Sequence, residues 1–206
     1  MKVFYLDYHD ITDNDINNVK KNLNSRYEKI KKCKNEKKFK QAIGSNILIM
    51  HAFPHVKDDD FYYNESGKPY LKNNDYFNIS HSGNYIILAK DKYEIGIDIE
   101  EIKGSKNNLA RRIFNDDEYL YSKDNDYFYL LWTIKESIIK LLGKSISFSI
   151  KDINAYEVIN DGYTYYDNKK IYCLSRKLDN YYISVASKKE IDRIELINIQ
   201  GDRNEK

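Results

Sequence analysis

The spacing of apolar residues near the start of the chain predicts a strand followed by a helix. The short apolar run in residues 2–8 indicates a strand. Thr12 or Asp13 is suited to cap a helix, because a short polar side chain can accept a hydrogen bond from the first helical turn. The predicted helix carries apolar residues at helical spacing, namely Ile16, Val19 and Leu23.

The rest of the first half combines a basic helix with a turn and further strands. Residues 29–40 hold seven lysines and lead into an apolar helix near residues 42–53. The lysines form either a solvated helix face or a phosphate-binding patch. Residues 63–74 are rich in turn-forming types around Gly67-Lys68-Pro69, and the alternation over residues 77–99 predicts two strands in a hairpin.

The second half also mixes helices with strands. A polar linker at residues 104–108 precedes predicted helices at residues 109–122 and 127–142. The remaining residues alternate strand-like runs with Asn- and Asp-rich turns. This mixture predicts the α+β class.

Two segments of the chain resemble each other. Residues 85–92, Tyr-Ile-Ile-Leu-Ala-Lys-Asp-Lys, are echoed by residues 182–189, Tyr-Ile-Ser-Val-Ala-Ser-Lys-Lys, and each half has an apolar helix earlier along the chain. Strands of this composition also resemble one another by chance. We predict two similar βα lobes, residues 1–103 and 104–206, related by a pseudo-twofold axis with a cleft between them.

The charge balance and the cysteine content argue against several classes of protein. The 34 basic and 32 acidic side chains give a formal net charge of +2, which argues against a general nucleic-acid binder. Cys33 and Cys173 lie far apart, which excludes a disulfide framework and disfavours a zinc site. The first apolar stretch is broken by Asp7, and no later run could span a bilayer. These features predict a cytoplasmic protein without a membrane partner.

Two carboxylates stand close together on one predicted strand. In the run Ile95-Gly96-Ile97-Asp98-Ile99-Glu100, Asp98 and Glu100 are two residues apart and therefore emerge on the same face. On a buried face they would repel each other and lose hydration, and a divalent cation would relieve both effects. Oxygen ligands favour magnesium or manganese. The commoner alternative is an acidic pair that faces water beside Glu101.

A second charged pair falls within an apolar helix. Glu136 and Lys140 are four residues apart and share a helix face, as an ordinary surface ion pair does. Their surroundings predict a largely buried helix, and a buried charged pair more often marks a site. The apolar neighbours are Leu130, Leu131, Trp132, Ile134, Ile138, Ile139, Leu141 and Leu142. A third element is His81, at the end of a predicted strand, although a lone histidine is usually structural.

Together these motifs resemble the single-chain, surfactin-type 4′-phosphopantetheinyl transferases over nearly the full chain. The family pattern is an apolar-Gly-apolar-Asp-apolar-Glu strand followed, some tens of residues later, by Trp-x-x-Lys-Glu-Ser-x-x-Lys. It is met by Gly96, Asp98, Glu100, Trp132, Lys135, Glu136, Ser137 and Lys140. Further family motifs are matched by Gly67-Lys68-Pro69, by Asn78-Ile79-Ser80-His81-Ser82, and by Phe114 with Glu118.

The basic segment departs from the family pattern. Lys29 and Lys32 fall where the family has phosphate-binding lysines before its cysteine, here Cys33, but the stretch to Gly44 is shorter than in close relatives. Lys40 stands where many members have arginine. Lysine keeps the charge but loses the bidentate geometry that suits phosphate.

The resemblance implies transfer of the 4′-phosphopantetheine arm of coenzyme A to a serine hydroxyl of an apo acyl or peptidyl carrier protein, with release of 3′,5′-ADP. It implies that Asp98, Glu100 and Glu136 hold Mg²⁺, or alternatively Mn²⁺, and that Asp98, Glu136 and Lys140 are catalytic. Coenzyme A is expected to contact Lys29, Lys32, Lys40, Gly67, Lys68, Pro69, Ser80, His81 and Asp98. The carrier protein is expected at a partly basic rim near residues 141–151, and the enzyme is expected to be a monomer.

Three other classes are open. A magnesium-dependent nucleotide phosphohydrolase would use the same carboxylates with water as the acceptor. A non-catalytic module that binds coenzyme A or a carrier protein would be expected to lack Asp98, Glu136 or Lys140, and all three are present. A nucleic-acid-binding protein would use the lysine segment, whose interleaved aromatic residues are limited to Tyr27 and Phe39.

Overall fold

The structure is a computed structural model that describes residues 1–73, 75–104, 106–144 and 150–200. Within these ranges the strands are β1 (Lys2–Asp7), β2 (Phe61–Tyr63), β3 (Pro69–Leu71), β4 (Tyr76–Ser82), β5 (Tyr85–Asp91), β6 (Ile95–Glu101), β7 (Tyr163–Tyr166), β8 (Lys169–Leu178), β9 (Tyr181–Ser187) and β10 (Glu195–Asn198). The α-helices are α1 (Asp13–Asn22), α2 (Asn24–Ile30), α3 (Glu36–Ala52), α4 (Asn107–Ile113), α5 (Asp116–Tyr121), α6 (Asn125–Leu141) and α7 (Ala155–Asp161). Short 3-10 turns occupy Tyr8–Asp10, Asp58–Asp60 and Ile150–Asp152.

Helix α1 begins where the sequence predicts. Thr12 is its N-cap: the Thr12 hydroxyl accepts a hydrogen bond from the Asp15 backbone N–H at 3.2 Å, and the Asp15 carboxylate accepts one from the Thr12 N–H at 3.0 Å. This reciprocal pair satisfies two backbone donors that the first helical turn leaves free. The helix ends at Asn22, so the buried Leu23 lies between α1 and α2.

Two four-stranded sheets form the framework, and each takes a strand from the other half of the sequence. Their strand orders are β10-β1-β5-β4 and β6-β9-β8-β7, and β2 pairs with β3 separately. The predicted hairpin over residues 77–99 is therefore wrong in part. Strands β4 and β5 form an antiparallel hairpin, but β6 leaves it to pair with β9. Strand β10 makes the reverse crossing and pairs parallel with β1.

An apolar helix covers each sheet. Helix α3 packs against β1 and β5, and α6 packs against β6 and β9. The two segments that echo each other in sequence form β5 and β9, the strands beneath these helices. The mixed α+β class is confirmed, while the pseudo-twofold axis and the lobe boundary at residue 103 stay predictions. No helix within the described ranges combines the length and apolar content needed to cross a membrane.

The contact between β6 and α6 is unusually close. A Cβ atom at Gly96 would lie 1.9 Å from the Ser137 carbonyl oxygen and 2.4 Å from the Leu141 backbone nitrogen. Only glycine lets the strand approach the helix backbone to this distance. This approach brings Asp98 of β6 towards Glu136 of α6.

Candidate active site

Side chains of β4 connect the edges of the two sheets. Strands β4 and β6 are the end strands of their sheets. Alternate residues of β4 point to one face, and three of them bond to β6. The Asn78 side-chain oxygen accepts from the Ile97 N–H at 2.9 Å, and Ser80 donates to Asp98 at 2.8 Å. Two residues further on, Ser82 donates to Glu100 at 2.8 Å. The candidate site therefore lies at the seam between the sheets.

Asp98 is held by groups from β4 and α6. The residue is only 3% exposed. The Oδ1 atom accepts hydrogen bonds from Ser80 Oγ at 2.8 Å and from Lys140 Nζ at 2.6 Å. Lys140 also donates to Ser80 Oγ at 2.8 Å. The three side chains form a closed network in which a buried carboxylate is paired with an ammonium, as burial of charge requires.

Glu100 is bound through both of its oxygens. Ser82 Oγ donates to Oε2, and Trp132 Nε1 donates to Oε1 at 3.1 Å. Ser82 is itself oriented, because its Oγ accepts from the Glu101 N–H at 3.1 Å. Burial, followed by the charge of Asp98, raises the pKa of Glu100, while the hydrogen bonds from Ser82 and Trp132 oppose this rise.

Glu136 is the third carboxylate of the predicted set. Its side chain is buried, with 5% exposure. Burial is the main cause that raises its pKa to about 7; repulsion from Asp98 adds to the rise, and Lys140 opposes it. Because Asp98 and Glu100 both raise this pKa, the three carboxylates lie close enough to repel one another. Asp98 and Glu136 therefore influence each other, while their assignment to one catalytic site stays a prediction.

Two oxygens of this acidic set have no partner. Among the described residues, Asp98 Oδ2 and Glu136 Oε1 are the buried side-chain oxygens that lack a hydrogen bond. Oxygen atoms of this kind fit a hard divalent cation, which would supply the missing partner. Within the same ranges, however, no group of three or more His, Cys, Asp or Glu side chains is arranged to hold a metal ion. Glu100, with each oxygen already accepting a hydrogen bond, is the member least available as a ligand.

Two cavities flank Ile79 beside this network. One, of about 230 Å³, is lined by Lys140 and by the predicted loop residues Gly67, Lys68 and Pro69. The other, of about 530 Å³, is lined by polar and basic side chains. These include Arg26, Lys38, Gln41, Asn46 and His81.

Lys68 ties the first cavity to the framework. Its ammonium donates to the Ile95 carbonyl at 3.1 Å and to the Lys140 carbonyl at 2.7 Å. Burial lowers the pKa of Lys68 to about 8, although Glu94 opposes this shift. The residue therefore links the turn before β3 to β6 and to the end of α6.

The basic residues predicted from the sequence lie elsewhere. Neither cavity is lined by Lys29, Lys32 or Lys40. The Lys29 ammonium lies 5.8 Å from the ring centre of Tyr63, and Lys40 pairs loosely with Glu36 at 3.9 Å. Lys32 is exposed. Their contacts to coenzyme A stay predictions.

Arg26 is the basic residue that the sequence analysis missed. Its guanidinium donates to the side-chain oxygen of Asn46 and to the Tyr63 hydroxyl, and it lies 4.4 Å from the ring centre of Phe61. Burial lowers the pKa of Arg26. The chain offered one signal: Arg26 is the lone arginine beside a run of lysines, and arginine suits a fixed, stacked position.

Lys135, although part of the family motif, does not face the seam. It is fully buried and pairs with the fully buried Glu118 at 2.8 Å. The Lys135 ammonium also donates to the carbonyls of Ile150, at 3.0 Å, and Ile153. Glu118 in turn accepts from the Ala155 N–H at 2.6 Å. The pair fixes α6 against α5 and the start of α7. Part of the predicted carrier-protein rim, residues 145–149, lies outside the described residues.

Comparison with known proteins finds similarity over part of the chain. Residues 94–186 match the family model described as the 4′-phosphopantetheinyl transferase superfamily. This range contains the Asp98 strand, α6 and all but the last residue of β9. The surfactin-type family resemblance predicted from the motifs is confirmed.

The similar proteins share this name. A 4′-phosphopantetheinyl transferase of Bacillus subtilis is 43% identical over 107 residues, which are 48% of this chain and 47% of the relative. The 4′-phosphopantetheinyl transferase psf-1 of Bacillus pumilus is 39% identical over 117 residues, 53% of this chain and 50% of the relative. The transferase AcpT of Escherichia coli O157:H7 is 27% identical over 157 residues, 70% of this chain and 73% of the relative. The chain thus spans about half the length of the Bacillus relatives it matches.

Proposed function

We propose that this chain is a magnesium-dependent 4′-phosphopantetheinyl transferase. It moves the phosphopantetheine arm of coenzyme A to a serine hydroxyl of an apo acyl or peptidyl carrier protein and releases 3′,5′-ADP. The observation that supports this most is the convergence of Asp98, Glu136 and Lys140 beside the cavity that residues 67–69 line. The convergence falls inside residues 94–186, the segment that matches the superfamily.

The bond changes define what the site must supply. A bond forms between the serine oxygen and the phosphorus that carries pantetheine, and the bridging P–O bond of the pyrophosphate breaks. The leaving phosphate takes the electron pair, and the serine proton goes to a base. The site therefore needs a proton acceptor and positive charge near the pyrophosphate oxygens.

Glu136 is suited to accept the proton. With a pKa of about 7, it is present both as carboxylate and as carboxylic acid at neutral pH, the range in which general bases are most effective. Glu136 would receive the proton directly or through water. Lys140 lines the cavity and carries the positive charge that stabilises the leaving phosphate.

The metal would be held by Asp98 and Glu136, whose free oxygens are buried, with Glu100 beside them. When bound, it would neutralise charge on the pyrophosphate oxygens. Ser82 and Trp132 keep the Glu100 carboxylate oriented, and Ser80 does the same for Asp98.

Coenzyme A would occupy the two cavities on either side of Ile79. Gly67, Lys68 and Pro69 present backbone and ring surface to the adenine in the smaller cavity. His81, Arg26 and Lys38 line the larger one, where they suit the ribose 3′-phosphate. We extend the same proposal to a monomeric cytoplasmic enzyme whose two lobes meet at the β4–β6 seam.

The test is product analysis with coenzyme A, Mg²⁺ and a panel of apo carrier proteins. Intact mass should rise by one phosphopantetheine on a carrier with its acceptor serine and stay unchanged on the matched Ser→Ala carrier. Cleavage of coenzyme A that proceeds equally well without any carrier would instead favour the phosphohydrolase alternative. Absence of both reactions across the panel would favour a binding module.

A further inference from the structure

Lys140 places a positive charge where the acidic set has its free oxygens. The ammonium contacts Asp98 Oδ1 at 2.6 Å, while Asp98 Oδ2 is buried without a partner. On the same helix, Glu136 Oε1 is also buried without a partner, and Asp98 repels the Glu136 carboxylate. One ammonium therefore offsets the charge of two carboxylates, those of Asp98 and Glu136.

We infer that Lys140 is an internal counter-ion that competes with a divalent cation for Asp98 and turns into the neighbouring cavity when the cation binds. The inference rests on the metal site of the proposed function. It adds that the Lys140 ammonium and the divalent cation bind the same carboxylates, so that each weakens the binding of the other.

The competition follows from charge and distance. An ammonium in direct contact with Asp98 lies within a few ångströms of any cation bound to the other oxygen of the same carboxylate. Two positive charges at such separations repel strongly, even with substantial screening. Lys140 thereby stabilises the protein before the cation binds, because the clustered carboxylates would otherwise repel one another without compensation.

The Lys140 side chain also borders a cavity into which it can turn. The Lys140 side chain is 28% exposed, whereas that of Asp98 is buried. Lys140 also lines the cavity of about 230 Å³, together with Gly67, Lys68 and Pro69. A lysine side chain has several rotatable bonds, so the ammonium can leave Asp98 without movement of α6. There it would lie beside the pyrophosphate of coenzyme A, whose adenine the proposed function assigns to the same cavity. Release of the Lys140 ammonium from Asp98 thus places its positive charge beside the leaving phosphate.

The experiment measures the affinity for Mg²⁺ alone, without coenzyme A, at pH 8 by isothermal titration calorimetry. A second readout uses Mn²⁺ and the fluorescence of Trp132, the single tryptophan of the chain, which donates to Glu100. The test variants are Lys140→Met and Lys140→Gln. Both remove the positive charge; the methionine also removes the polar end of the side chain, whereas the glutamine keeps a polar group. Lys20→Met is the matched control, because Lys20 is an exposed lysine of α1 that lines neither cavity, and its ammonium lies 5.9 Å from the ring centre of Tyr27.

Both Lys140 variants should bind the metal about tenfold more tightly than the wild type, and the control should stay within about twofold. Their melting temperatures should also rise more on addition of Mg²⁺. If the wild type binds the metal and the Lys140 variants bind it equally or more weakly, the competition is refuted and the proposed function stands. If the wild type binds no divalent cation, the metal assignment of the proposed function fails, and the competition fails with it.

Discussion

The close approach of β6 to α6 makes Gly96→Ala the most informative single substitution. The added methyl would lie 1.9 Å from the Ser137 carbonyl oxygen, whereas an ordinary contact needs at least 3.4 Å, so strand and helix must separate by about 1.5 Å. Both close atoms belong to the backbone, so no side chain can simply rotate away. Overpacking of this kind destabilises by about 1–3 kcal/mol, and occasionally by more.

The same separation would move Glu136 relative to Asp98. A displacement of about 1 Å in a catalytic constellation can lower the rate by about 100-fold. We therefore expect Gly96→Ala to lose about 3 kcal/mol of unfolding free energy and at least about 100-fold in kcat. Urea denaturation and carrier-protein modification measure the two effects. Gly104→Ala is the control, because a Cβ there meets no atom within 4 Å. Wild-type stability together with wild-type kcat in Gly96→Ala would refute the reasoning.

Two further predictions concern buried charges away from the carboxylate set. Glu118→Gln leaves the Lys135 ammonium buried beside a neutral partner and should destabilise by about 3–5 kcal/mol in urea denaturation, whereas Asp117→Asn on the exposed face of α5 should change little. Lys68 has its pKa lowered to about 8, so between pH 8 and 10.5 the unfolded chain binds more protons than the folded one. The unfolding free energy of the wild type should therefore rise relative to Lys68→Met by up to about 3 kcal/mol over that range. A constant difference between pH 8 and 10 would contradict the burial of the Lys68 charge.

Local patterns in the sequence were enough to predict several parts of this architecture. Thr12 or Asp13 was predicted as a cap because these polar residues precede apolar residues at helical spacing, and the structure confirms Thr12. The buried character of α6 was predicted from its apolar surroundings. The common site of Asp98 and Glu136 was expected from the family resemblance and stays a prediction. Each of these inferences depends on short-range spacing or on a motif.

The parts that the sequence could not predict depend on non-local pairing. Strand β6 has the same alternation whether it continues the β4–β5 hairpin or crosses to β9, and the choice is decided by distant partners. Lys135 and Glu136 are neighbours in one motif, yet only the position of Glu118 determines that Lys135 faces the core. Arg26 was missed for the same reason, since its partners Asn46 and Tyr63 lie far along the chain.

The central claim is that Asp98 and Glu136 act together in transfer from coenzyme A to a carrier serine. The most direct test measures intact carrier mass after incubation with coenzyme A, Mg²⁺ and wild type, Asp98→Asn, Glu136→Gln or the surface control Asp117→Asn. We predict one added phosphopantetheine with the wild type and the control, and none with the two site variants despite native circular dichroism. Full modification by either folded site variant would contradict the account.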